Sequence, residues 1–186
     1  MNSKNSLILL TLISLSLFSV SVSADYTADR IAMDVGTSNK GVHIARAILQ
    51  WDWRKREDSQ CFCDLSYIEV DVSHWKPKTA SIGESYLTDI GIKPVFRLDR
   101  PPLAAWFKAR PFLEGGVGIH YLSAVNLPNT RFYTSTQFQF GEHFAWGFSF
   151  KNGLELSQRF LHLSNGAIRK PNPGINYKII HASLRF

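Results

Sequence analysis

After residue 24 the chain has no apolar run near the ~20 residues that a membrane-spanning helix requires, so it does not read as a helical membrane protein. It is also poor in cysteine. The two it has, Cys61 and Cys63, stand one residue apart, which makes for a tight, strained disulfide ring. Two thiols with no histidine at finger spacing fall short of a zinc site, so no metal and no other cofactor is expected. There is no internal repeat and no low-complexity tract. Acidic residues are outnumbered, 15 against 21 basic, for a formal charge of +6. In a chain that leaves the cytoplasm, this excess points away from nucleic acid and toward an anionic surface such as phosphorylated lipid headgroups.

Export is written at the N-terminus. Lys4 supplies the positive region, Leu7 to Val20 the apolar stretch, and Val22-Ser23-Ala24 a small-residue cleavage site. Residues 1–24 are therefore expected to be a signal peptide and 25–186 a single domain.

What the remainder has in quantity is Phe, Tyr, Trp, Ile and Val, with Gly and Pro spread among them, which favours strands and turns. Eight β-like segments are expected, near 30–36, 42–53, 66–75, 86–97, 110–122, 134–150, 154–164 and 175–186. Several are long enough to cross a bilayer at a tilt. Turn chemistry separates them, most clearly at Asn152-Gly153, a tight-hairpin signal. An even number of antiparallel strands, export and a chain ending in Leu184-Arg185-Phe186 predict an all-β fold: an eight-stranded antiparallel transmembrane β-barrel of the bacterial outer membrane.

Side chains alternate across a strand, so parity assigns faces. In the last segment Tyr177, His181, Ser183 and Arg185 share the lumen face, with Asn176, Lys178, Ile180, Ala182 and Leu184 facing lipid. In the seventh, Glu155, Ser157 and Arg159 take the lumen. His162 and Ser164 fall on the lipid side with Leu156 and Phe160, and Leu161 and Leu163 must fill the interior. A hydroxyl and an imidazole two residues apart on one face suit a nucleophile and its general base. Counted from a periplasmic N-terminus, the seventh strand runs outward, so the pair lies near the outer-leaflet interface. Arg169-Lys170 in the following loop stand where lipid phosphates lie. His74, His120, His143 and His181 are expected to make lumen hydrogen bonds. Trp51, Trp53, Trp75, Trp106 and Trp146 are expected in interfacial girdles.

The stretch His162-Leu163-Ser164-Asn165-Gly166, followed by Asn172-Pro173-Gly174, resembles the lipid A 3-O-deacylase family, often called PagL. The segments Pro111 to Gly118 and Phe138 to Gly141 are similar as well. The resemblance implies an outer-membrane barrel whose active site faces lipid, and an esterase that hydrolyses the 3-O-linked acyl chain of lipid A. Ser164 would be the nucleophile and His162 the base. Asn165, Gly166 and Asn172 would stabilise the oxyanion or bind substrate. Lipid A, or lipopolysaccharide, and outer-membrane lipid would be the partners; nucleic acid would not, and room is left for a homodimer.

One position departs from the pattern. Where the family places the acidic member of its triad, this chain has Asn176. An amide can hold an imidazole in one tautomer but cannot offset imidazolium charge. Glu155 has the wrong parity for a substitute, while Glu114 and Glu142 depend on strand pairing. Two other readings stand beside the esterase. One is a non-catalytic barrel with a structural or lipopolysaccharide-binding role. The other is a secreted soluble barrel holding an apolar ligand, which requires the opposite parity.

Overall fold

A computed structural model describes residues 27–53, 65–79, 85–102 and 108–186. The expected signal peptide, Cys61, Cys63 and Trp106 lie outside the described residues. Eight strands form: β1 (Arg30–Ser38), β2 (Val42–Asp52), β3 (Leu65–Pro77), β4 (Leu87–Asp99), β5 (Arg110–Leu122), β6 (Phe138–Ser149), β7 (Leu154–Ser164) and β8 (Ile175–Arg185). Each pairs antiparallel with the next. β1 closes the sheet against β8, in register from Arg30 opposite Arg185 to Ser38 opposite Tyr177. Closure leaves no open edge, the condition for a sheet to cross hydrocarbon with every backbone group paired.

The strands begin where the sequence places them, with one exception. Residues 134–137 do not extend β6. They belong to the β5–β6 connection, held by Thr134 N–H donating to Val125 O at 2.7 Å and by a bridge between Asn126 and Tyr133. The expected hairpin at Asn152-Gly153 forms, with Gly153 at φ +84°. That left-handed conformation is open to glycine at little cost.

Alternation sorts the side chains as expected. Ile31, Met33, Val35, Val72, Ile90, Ile92, Val117, Ile119, Phe144, Leu156, Phe160, Ile180 and Leu184 are exposed on the outer wall. Inside, an eight-stranded barrel is just wide enough for side chains to fill, and two layers do so. The half nearer the chain ends is ionic. Arg159 reaches Glu69 at 3.0 Å and Glu114 at 3.0 Å, and Arg46 reaches Asp34 at 2.7 Å and Asp71 at 2.5 Å. The half nearer the β7–β8 loop is apolar: Val42, Trp75, Leu87, Leu122, Leu127, Phe132, Leu161, Leu163, Ile175 and Tyr177 pack into one cluster. An apolar outer wall around a buried ionic layer is the reverse of what a soluble ligand-holding barrel needs.

Two expectations are corrected here. Trp75 is not in an interfacial girdle. It is fully buried in the apolar layer, edge-on to Phe132 and Tyr177, with its indole N–H donated to Ser73 Oγ at 2.8 Å. Trp53 and Trp146 do face outward. Among the histidines, His120 and His181 bond Asp89 and Asp34 in the lumen, and His143 is buried near Glu114. His74 instead points outward against Tyr86, their ring centroids 4.9 Å apart. Asp71, Asp89 and His120 converge closely enough to resemble a metal cluster. However, Arg46 bonds Asp71 and His120 bonds Asp89, so each carboxylate already has an internal partner.

Candidate active site on the outer wall

The inward pull of Leu161 and Leu163, both about 1% exposed within the apolar layer, fixes the parity of the end of β7. With those two locked inside, His162 and Ser164 must face outward, and both are half-buried there. A one-residue slip would reverse this and drive Glu155 and Arg159 into lipid. The orientation of the pair is therefore enforced by the core.

Strand register supplies the neighbours. His162 lies opposite Asn176 on β8 and opposite Glu142 on β6, and all three face outward. Nδ1 of His162 is 2.6 Å from Oδ1 of Asn176. An amide oxygen only accepts, so Nδ1 carries the proton and Nε2 holds the free lone pair. Asn176 is itself pinned: its N–H donates to Asn39 Oδ1 at 3.1 Å, and Asn39 N–H donates to Asn176 O at 3.0 Å. The β1–β2 turn thus buttresses the residue that orients the imidazole.

The β7–β8 loop packs against the other side of the ring. Gly174 sits at φ +59°, and a Cβ built there would lie 2.8 Å from His162 Cε1 and 3.3 Å from Nε2. Gly174→Ala is accordingly expected to displace the imidazole and lower activity about 10- to 100-fold, on the scale of a misplaced catalytic group. The lumen is untouched, so heat-modified electrophoretic mobility should still report a folded barrel.

Asn165 is fully buried at the start of the loop, and its side chain does not reach the surface. Its amide donates to Ser135 Oγ and to Arg169 O, each at 2.8 Å, so both protons are committed to holding the loop. Its backbone N–H goes to Asn172 Oδ1 at 3.0 Å. That bond occupies the oxygen of Asn172 and leaves its NH₂ as the end available for donation. Gly166 and Ala167 follow, both left-handed at φ 62°.

A groove of about 750 Å³ opens on the outer wall across β6, β7, β8 and β1. Thr37, Asn39, Glu142, His162, Asn176 and Lys178 give it polarity, and Phe144 and Phe160 flank it with apolar surface. The other carboxylates considered from sequence lie elsewhere. Glu114 accepts from Tyr67 and Arg159 in the lumen, and Glu155 from Arg97. Sequence reasoning missed Asn39 and Ser135, which enter from distant turns and carry no spacing signal.

A closed barrel with an apolar outer wall, broken by a polar groove lined by Glu142, His162 and Asn176 with Ser164 on the same outward face of β7, defines an outer-membrane β-barrel with a candidate site on its outer wall. Comparison with known proteins carries this further. A family model described as Lipid A 3-O-deacylase (PagL) matches residues 45–185. The lipid A deacylase PagL of Pseudomonas aeruginosa is 28% identical over 161 residues, covering 86% of this chain and 87% of that protein. Its namesake in Bordetella bronchiseptica is 29% identical over 102 residues, covering 53% of this chain and 56% of that protein. A crystal structure of the outer membrane enzyme PagL superposes with a TM-score of 0.69 at 21% identity, over 84% of this chain and 99% of the other. The chain belongs to the lipid A 3-O-deacylase (PagL) family.

Proposed function

We propose that this protein hydrolyses the ester-linked 3-O-acyl chain of lipid A, with Ser164 as nucleophile and His162 as general base. The observation that carries the reading is the imidazole of His162 on the outer face of β7, with its Nε2 left without a hydrogen bond among the described residues. Its tautomer is set by Asn176 at 2.6 Å, and it stands two residues from an outward hydroxyl on a lipid-facing wall. The two side chains share no direct hydrogen bond here. Their Cα atoms are ~6–7 Å apart along the strand, within reach of rotation, and such bonds commonly tighten only around substrate.

The chemistry follows from that arrangement. Ser164 Oγ attacks the ester carbonyl carbon while its proton passes to His162 Nε2. Charge gathers on the former carbonyl oxygen, which needs preorganised donors. The NH₂ of Asn172 and the backbone amide of Gly166 are assigned that role, with Asn165 holding the loop that presents them. As the intermediate collapses, the ester bond breaks and His162 returns the proton to the departing sugar oxygen. Water then releases the fatty acid from Ser164 by the same sequence. Lys178, in the groove, and Arg169 and Lys170, exposed on the adjoining loop, place positive charge where lipid A phosphates would lie.

Expression in a Gram-negative host that retains its 3-O-acyl chains tests the reading. Mass spectrometry of the host's lipid A should show loss of one ester-linked 3-hydroxyacyl chain. Unchanged lipid A, with the barrel folded in the outer membrane, would instead identify a non-catalytic lipopolysaccharide-binding barrel.

A further inference from the structure

The geometry points to Glu142 as the carboxylate that serves His162 in place of the acid absent at position 176. It is a positioning residue that acts through the imidazole, and the inference rests on the deacylase reading above. An acid in a triad does two things: it orients the imidazole, and it stabilises the positive charge formed when the imidazole takes the nucleophile's proton. Here the two duties fall on opposite flanks of His162. Asn176 on β8 orients the ring through Nδ1. Glu142 on β6 is the other cross-strand neighbour of His162, and both line the groove.

Directly opposed residues of an antiparallel pair have Cβ atoms ~4.5–5.5 Å apart, so Glu142 and His162 are side-by-side neighbours on the outer wall with no hydrogen bond between them. Its charge is not otherwise engaged: among the described residues Glu142 makes no ion pair or hydrogen bond, whereas Glu69, Glu114 and Glu155 are tied into the lumen network. Other charged groups near the groove among the described residues are cationic: Lys178 from β8, Arg169 and Lys170 from the β7–β8 loop, Lys40 from the β1–β2 turn, and Arg131, which donates to Asn39 O at 2.8 Å. Thr37 of β1 and Asn39 of the β1–β2 turn are neutral, and His143 approaches only from the lumen side. Glu142 is therefore the one anionic group among the described residues at the groove, amid charges that oppose an imidazolium. Against a lipid-facing wall its field is screened less than in water.

During acylation the Ser164 proton moves to Nε2 and then to the leaving sugar oxygen, and Glu142 takes no part in the transfer. Glu142→Gln, close in size and outside the packed interior, is expected to lower kcat about 10- to 100-fold with KM little changed. Phosphonylation of Ser164 by an alkyl fluorophosphonate, a probe independent of lipid A, should slow by a similar factor. Restoring an acid on the other flank, as Asn176→Glu in the Glu142→Gln background, should recover most of the loss, as no structural role of Glu142 would allow.

Wild-type kcat and labelling rates in Glu142→Gln overturn the inference, as does a loss that Asn176→Glu leaves unrescued. If the wild-type chain neither deacylates lipid A nor is labelled at Ser164, the deacylase reading falls, and the inference with it.

Discussion

Ser164→Ala is expected to lower 3-O-deacylation at least about 10³-fold, the scale on which removal of a nucleophile acts in serine hydrolases. His162→Ala should do nearly the same, and the double variant should be no worse than either. A base without a hydroxyl to deprotonate, and a hydroxyl without a base, each lack the same step, so the two losses do not add. Neither side chain belongs to the interior. Both are half-buried on the outer wall, and the parity of β7 is held by Leu161 and Leu163 on the opposite face. The variants should therefore fold, and unchanged heat-modified mobility would tie the loss to chemistry. The check is release of 3-hydroxy fatty acid from purified lipid A in detergent, with lipid A mass as a second readout. Substantial turnover by Ser164→Ala would remove the hydroxyl from the mechanism and leave a water activated by His162 as the attacking group.

The outward placement of that pair was legible in the sequence because parity and polarity agree along β7. Glu155, Ser157 and Arg159 mark the lumen side, and a strand holds one parity unless a bulge interrupts it. The faces of β8 followed from the same periodicity, and the hairpin at Asn152-Gly153 from its turn chemistry. Trp75 shows parity outranking composition: a tryptophan near a strand end suggests a girdle, yet it shares a face with Glu69, Asp71 and Ser73 and is buried with them.

The connection between β5 and β6 resisted reading for a different reason. Leu127 and Phe132 enter the barrel mouth from irregular backbone, where no period exists to be recognised. Glu142 marks the deeper limit. Alternation says which face a residue takes, but its cross-strand neighbour depends on the stagger fixed when the barrel closes. Thus Glu114 and Glu142 could not be separated by spacing, although one lies in the lumen and the other beside His162.

Arg159→Ala is expected to cost about 3–5 kcal/mol of barrel stability, the range for removing one partner of a buried ionic cluster. Arg159 is fully buried on β7 and reaches Glu69 at 3.0 Å, Glu114 at 3.0 Å and Asp34 at 3.5 Å. Those carboxylates are not equally dependent on it. Glu69 keeps Lys93 at 2.8 Å and Arg46 at 3.3 Å, and Asp34 keeps Arg46 and His181. Glu114 is left with the hydroxyl of Tyr67 and longer contacts to Arg97 at 3.5 Å and His143 at 3.8 Å. Its weakened compensation should account for much of the loss, so Arg159→Ala combined with Glu114→Gln should be more stable than Arg159→Ala alone. Urea unfolding of the refolded barrel in phospholipid, read as a double-mutant cycle, measures the coupling. Additive losses would mean that water entering the lumen solvates Glu114 and that the ionic layer is less dry than its packing indicates. Arg159 also precedes His162 by three residues on the same strand and faces the opposite way. A soft interior beneath β7 would loosen the outer wall, so activity in the single variant should fall with rising temperature before the barrel unfolds, and the double variant should recover part of that range.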